Sequence, residues 1–140
     1  MILLDTNVIS DLVSINPDPG VLAWVGSHPA DDQFISAITV AEILYGIRIL
    51  PEGRRRTMLE SEIGLLLRDA FLGRTLPFDA AAGECFATIM ADRRSQGRPM
   101  SQFDGQIAAI ALSRGAKLVT RNVRDFELTG IEVINPWRGA

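Results

Sequence analysis

The stretch Ile2-Leu3-Leu4-Asp5-Thr6-Asn7 decides the fold class. Its three apolar residues read as a short buried strand, and the strand ends on a carboxylate. Asn7 to Ser14 follows as a short helix, broken at Pro17-Asp18-Pro19-Gly20. Outward from there the same alternation recurs. Val21 to Val25 is a helical piece ended by Gly26, and Gln33 to Ile38 is a second strand. Thr39 to Leu50 is a helix with Thr39 as its N-cap and Pro51 just beyond. Glu52 to Phe71 is a longer amphipathic helix ending near Gly73, and Thr75-Leu76-Pro77-Phe78 is a Pro-limited strand at or near a sheet edge. Asp79 to Gln96 and Ser101 to Arg114 are helices, each followed by a glycine, Gly97 and Gly115. Lys117 to Thr120 and Ile131 to Ile134 are the last strands. Strands alternating with helices predict an α/β fold with a mostly parallel sheet covered on both faces. In such folds chemistry collects at the carboxyl ends of the strands.

Composition narrows the function. At 140 residues, one domain spanning positions 1–140 is expected, and a chain of this length buries about two-thirds of its unfolded surface. Hydrophobic residues make up 47% and charged residues 22%, which excludes a disordered tail protein. Acids outnumber bases 17 to 14, so the chain is not a general nucleic-acid coat. The single histidine, His28, excludes a multi-histidine metal site. One cysteine, Cys85, forms no internal disulfide and reads as a small core residue. No apolar run reaches membrane-spanning length, and the N-terminus lacks the basic start of a signal peptide. A reducing cytoplasm is the expected compartment.

Four acids do not read as ordinary surface. Asp5 ends the first strand, where a turn or cap residue is the plain alternative. Glu42 stands in Thr39-Val40-Ala41-Glu42-Ile43-Leu44-Tyr45-Gly46, and its helical neighbours Ile38, Thr39, Tyr45 and Gly46 include no base. An acid so placed needs compensation from elsewhere in the fold. Asp104 falls at the third position of a helix capped by Ser101, which suits the helix dipole. It also shares a stripe with Ile107, Ala108 and Ala111, which points coreward. Asp125, with Asn122, follows the strand Lys117 to Thr120. A parallel sheet would gather these groups at one edge. Two like charges about 4 Å apart repel by about 4 kcal/mol at an effective dielectric of about 20, so such a cluster calls for cations. Oxygen-only ligands favour Mg²⁺ or Mn²⁺, and phosphodiester cleavage is the chemistry that follows. Thr6, Asn7 and Thr120, beside the acids in sequence, are expected to support them.

At these residues the chain resembles the PIN-domain ribonucleases, and within them the VapC/FitB group of bacterial toxin–antitoxin modules. The matching stretches are Met1 to Ser10, Ile35 to Gly46, Leu76 to Asp79, Asp104 to Ala109, Thr120 to Phe126 and Asn135-Pro136-Trp137, in order along nearly the whole chain. The resemblance implies a three-layer α/β/α sandwich. It implies that Asp5, Glu42 and Asp104 ligate catalytic Mg²⁺ or Mn²⁺, and that the fourth role falls on Asn122 or Asp125. It also implies a homodimer silenced by an antitoxin, with operator DNA reached through that antitoxin. The RNA substrate, transfer RNA or another structured RNA, stays open.

Other features carry two readings each. Arg121 and Arg124 flank the proposed site and are candidates for RNA phosphate contact. Arg54-Arg55-Arg56 and the group Arg93, Arg94 and Arg98 read as RNA contacts or as solvated helix faces. Trp24, Tyr45 and Trp137 read as core or interface. His28 is expected in an exposed loop with no serine placed beside it, so a Ser-His-Asp triad is unsupported. A second phosphohydrolase pattern, that of the haloacid dehalogenases, needs an acid where Asn7 stands. The alternative to a nuclease is a co-repressor subunit that binds its antitoxin and turns over little RNA.

Overall fold

A computed structural model describes residues 1–137; positions 138–140 lie outside the described residues. The first strand, β1 (Ile2–Leu4), is fully buried and runs directly into α1 (Thr6–Leu12). Then come α2 (Pro19–Gly26), a 3-10 turn (Ala30–Asp32), β2 (Gln33–Ser36) and α3 (Ala37–Arg48). The middle of the chain is α4 (Arg54–Leu65), β3 (Thr75–Leu76) and α5 (Ala80–Ser95). It closes with α6 (Gln102–Arg114), β4 (Lys117–Val119), a 3-10 turn (Val123–Phe126) and β5 (Val133–Ile134). Among the described residues no helix is long and apolar enough to cross a membrane.

The five strands form one parallel sheet in the order β3-β2-β1-β4-β5. The expected edge position of Thr75 and Leu76 is borne out. Side chains alternate across the sheet, as strand geometry requires. Leu3 and Leu118 face one core, built with Ile89, Ile107 and Ile110 of α5 and α6. Ile2, Leu4 and Val119 face the other, built with Val8, Val21, Ile43 and Ile63 of α1 to α4. Helices therefore cover both faces, and the architecture is the expected α/β/α sandwich.

The strand order has a functional consequence. The chain adds β2 and β3 on one side of β1, then crosses back to add β4 and β5 on the other. The switch falls between β1 and β4, whose carboxyl ends splay open toward a crevice. Asp5 and Thr120 are the residues that follow these two strands.

Capping explains the helix starts. Asp18 Oδ1 accepts from the N–H of Gly20 and Val21, with Pro19 in the first turn. Asp79 and Ser101 cap α5 and α6. For α3 the cap is Ser36, not Thr39: the Thr39 N–H donates to Ser36 Oγ at 3.0 Å, and the helix starts three residues early. Either hydroxyl residue suits a cap, and the end of β2 at Ser36 decides between them. The expected long helix from Glu52 to Phe71 is instead α4 followed by a π turn at Leu66–Ala70, closed by the Phe71 N–H on the Leu66 carbonyl. Gly115 ends α6 in the left-handed conformation, φ 64°, as a glycine there can. Gly105 serves packing: a Cβ there would stand 2.5 Å from Met90 Sδ and 3.1 Å from Phe86 Cε2, so its hydrogen lets α5 and α6 close together.

Candidate active site

A pocket of about 490 Å³ opens at the carboxyl ends of β1 and β4. Asp5, Glu42, Asp104 and Asn122 line it together, with Thr6, Asn7 and Arg121. Three of the acids singled out in the sequence are thus brought to one place by three elements, α1, α3 and α6.

Asp5 is both a cap and a pocket-lining residue. It is 4% exposed, and its Oδ1 accepts from the Thr6 N–H at 2.8 Å. Thr120 Oγ1 donates to Oδ2 at 2.7 Å, and Asn7 Nδ2 donates to the same oxygen at 3.5 Å. Asn7 Nδ2 also reaches Thr120 Oγ1 at 3.2 Å, and the Asn122 N–H donates to that oxygen at 3.1 Å. Thr120 therefore spends its proton on Asp5 and both lone pairs on its neighbours, which fixes it. Burial pushes the Asp5 carboxyl from 3.8 up to about 6; the bonds from Thr120 and Thr6 work against the rise, and the charges of Asp104 and Glu42 add to it.

Glu42 finds its compensation across the pocket. Thr6 Oγ1 donates to Glu42 Oε1 at 2.7 Å and lies 3.0 Å from Thr39 Oγ1. Since Thr6 spends its proton on the carboxylate, Thr39 donates to Thr6, and Ser36 Oγ donates to Thr39 at 3.3 Å. The chain Ser36–Thr39–Thr6 points its protons at Glu42. The exposed side of α3 carries Leu44, Tyr45 and Arg48, with Ile49 just past its end, and Glu42 is itself partly exposed, so it borders that face rather than lying inside an apolar helix.

Asp104 is half-buried, with its N–H on Ser101 Oγ at 3.2 Å. Burial raises its pKa, the Ser101 hydroxyl lowers it, Asp125 raises it and Arg93 lowers it. Asp125 is exposed and does not line the pocket, but its charge is felt at Asp104. Asn122 does line the pocket, and its side-chain amide makes no hydrogen bond among the described residues. Of the two candidates for the fourth role, Asn122 is the one placed at the wall.

The basic residues sort differently from expectation. Arg121 lines the pocket and Arg124 does not. Arg93 is 4% exposed and is structural: it donates to the carbonyls of Arg98, Asp125 and Glu127, tying α5 to the turn after β4. Arg98 adds an ion pair with Glu127 at 3.0 Å. Arg56 pairs with Glu60 one helical turn on, at 2.9 Å. His28 is half-buried, stacked on Trp24 with centroids 3.8 Å apart, and Ser27 Oγ does lie beside it, 3.1 Å from Nδ1. That serine bonds the Trp24 carbonyl and the pair lies outside the acidic pocket, so no triad forms. Cys85 packs half-buried against the α5–α6 core.

Sequence reading missed three wall residues. Ser10 and Asp11 line the pocket from α1, and their spacing from Asn7, three and four residues on, was the available signal. Trp137, expected in the core or at an interface, packs half-buried against the α1–α4 core and also reaches the pocket.

The donor set fits a hard divalent cation. Asp5, Glu42 and Asp104 offer only oxygen, and their mutual repulsion is among the causes that raise Asp5. Among the described residues no three such side chains stand close enough to form a ready cage. The three carboxylates are therefore candidate oxygen ligands around an open pocket.

Known proteins of similar shape and sequence make the assignment. A family model described as PIN domain matches residues 2–131. The chain is 41% identical over 140 residues to VapC ribonuclease Y4jK of Sinorhizobium fredii, with the whole of both chains covered. It is 36% identical over 137 residues to toxin FitB of Neisseria gonorrhoeae, covering 98% of this chain and 99% of the relative. Among solved structures, FitAB bound to an IR36 DNA fragment matches with a TM-score of 0.93 at 36% identity, over 99% of this chain and 96% of that one. With its acids gathered at the sheet's switch point and its sequence matched from end to end, the chain belongs to the PIN-domain family.

Proposed function

We propose that this chain is a metal-dependent endoribonuclease, the toxin of a toxin–antitoxin pair, and that it hydrolyses RNA phosphodiester bonds. The observation that carries the reading is the convergence of Asp5, Glu42 and Asp104 on one polar pocket. Relatives named VapC ribonuclease and toxin FitB support it. Nucleases of the PIN family generally use divalent metals.

Asp5, Glu42 and Asp104 would hold Mg²⁺ or Mn²⁺. Such an ion supplies an activated water and charge stabilisation for in-line attack at phosphorus. The chain's own groups do the positioning. Thr120 and Asn7 fix the Asp5 carboxylate, and Thr6 fixes that of Glu42. The Asn122 amide, unbonded among the described residues, offers its N–H donors to a phosphate oxygen and its N–H donors or carbonyl oxygen to a water at the wall. Asp125 contributes charge beside Asp104 from outside the wall. Arg121 is the better phosphate contact and Arg124 the more peripheral one.

The chain works as one domain in the cytoplasm, as a homodimer with its antitoxin. The exposed Leu44 and Tyr45 of α3, with Ile49 just past its end, give such an assembly an apolar face. Operator DNA is reached through the antitoxin. The co-repressor alternative draws on the DNA-bound FitAB structure and requires no turnover.

Incubation of the purified chain with RNA tests the choice. Discrete fragments are expected with Mg²⁺, none with EDTA, and at least about 10³-fold fewer from an equally folded Asp104→Asn chain. Equal cleavage by the variant, or cleavage that survives EDTA, overturns the reading. Absence of fragments beside tighter antitoxin binding to operator DNA favours the co-repressor.

A further inference from the structure

We propose that Trp137 is a positioning residue whose ring holds the Arg121 guanidinium at the acidic pocket, where it anchors one phosphate of the bound RNA. The proposal rests on the ribonuclease reading above and names a residue that reading did not use.

Arg121 is the one cation among the residues that line the pocket, in company with Asp5, Asp11, Glu42 and Asp104. An arginine free to swing would be drawn into an ion pair with one of these carboxylates. Among the described residues the Arg121 guanidinium makes no ion pair and no hydrogen bond. It lies over the Trp137 ring, 5.4 Å from the centroid, within cation–π range. Toward the described residues its guanidinium N–H donors are unspent, in a planar fork that matches a phosphate.

Both ends of this arrangement are fixed. The Arg121 N–H donates to Asn7 Oδ1 at 3.3 Å, and Asn7 is the residue that also bonds Thr120 and Asp5. The backbone of Arg121 is therefore tied to the network around Asp5. The Trp137 N–H donates to Asn135 Oδ1 at 3.0 Å, Pro136 between them is buried, and the ring packs against the α1–α4 core. A held ring presents a held cation. The pocket gains from this in a specific way. Four carboxylates repel an approaching phosphodiester, and a cation kept clear of those carboxylates keeps its full charge for the phosphate.

RNA binding by the full-length Asp104→Asn chain, measured by fluorescence anisotropy across salt concentrations, tests the anchor. Loss of one phosphate contact lowers the slope of log affinity against log salt by about 0.7 to 0.9. Arg121→Gln is expected to lower it by that amount and Trp137→Ala by most of it. Trp137→Phe, which keeps an aromatic face, is expected to keep the parent slope. Should Trp137→Ala unfold, Trp137→Leu takes its place, since it refills the apolar seat without a π face. In the cleaving chain the same two losses raise KM about tenfold and leave kcat within about twofold. An unchanged slope in Arg121→Gln, or an aromatic replacement that fails to restore it, overturns the proposal. Weakened antitoxin binding with the RNA slope intact also overturns it, and assigns the pair to the protein partner. An Asp104→Asn parent that binds no RNA overturns the ribonuclease reading, and the anchor falls with it.

Discussion

The starts of α1 and α6 deliver acids to the same pocket from unlike surroundings. Asp5, the cap of α1, is buried and accepts three hydrogen bonds, from the Thr6 N–H, Thr120 and Asn7. Asp104 lies in the first turn of α6, half-buried, with Ser101 as its hydrogen-bond partner. Burial raises both, yet Asp5, with more bonds, reaches about 6. The contrast teaches that good hydrogen bonds do not recover the cost of enclosing a carboxylate beside other carboxylates. It also shows that capping and site chemistry are not rival explanations. A cap puts an acid at a helix N-terminus, and in a parallel sheet that is where the crevice lies.

The largest effect on this comparison is expected from Asp5→Asn, studied with EDTA present. The Asp5 carboxyl ionises near 3.8 in the unfolded chain and near 6 in the folded one. Between those values the folded state holds the extra proton, so stability falls as pH rises from about 4 to about 6 and stays lower above. Asp5→Asn removes that cost and is expected to stabilise the chain at pH 7 by up to about 3 kcal/mol. Chemical denaturation at pH 4 and pH 7 checks it: the gain is expected at pH 7 and nearly absent at pH 4. Equal gains at both values would show that Asp5 is not strained.

A smaller effect comes from the tie between α1 and α3. Thr6→Val removes the hydroxyl that bonds Glu42 and is expected to cost about 1 kcal/mol of stability, because water replaces part of the bond at a half-exposed carboxylate. Cleavage is expected to fall about tenfold, while Thr6→Ser, which keeps the hydroxyl, stays close to the parent. A loss of rate equal in both variants would assign Thr6 to packing rather than to holding Glu42.

Much of this site was legible in sequence because the acids sit at element boundaries. Asp5 ends an apolar run, Asp104 follows a serine cap by three residues, and Glu42 lacks a basic neighbour at helical spacing. What supports them was not legible. Thr6 meets Glu42 across 36 positions, and Thr120 meets Asp5 across 115. Arg93 looked like part of a basic patch because its partners are backbone carbonyls up to 34 residues away, which leave no trace in side-chain identity. Trp137 was hidden for the same reason: only the sheet order, which sets β5 beside β4, brings it to Arg121. The shift of the α3 cap from Thr39 to Ser36 is a local ambiguity between two good caps, settled by where β2 stops.

The most direct test of the central claim is a Mn²⁺ titration of the purified chain by calorimetry, alongside Asp104→Asn and Glu42→Gln. If Asp5, Glu42 and Asp104 serve one cation, each variant binds at least about tenfold more weakly, though its lost acid comes from a different helix. Affinity unchanged in both variants would mean that the three acids share a pocket without sharing a metal, and would contradict the site described here.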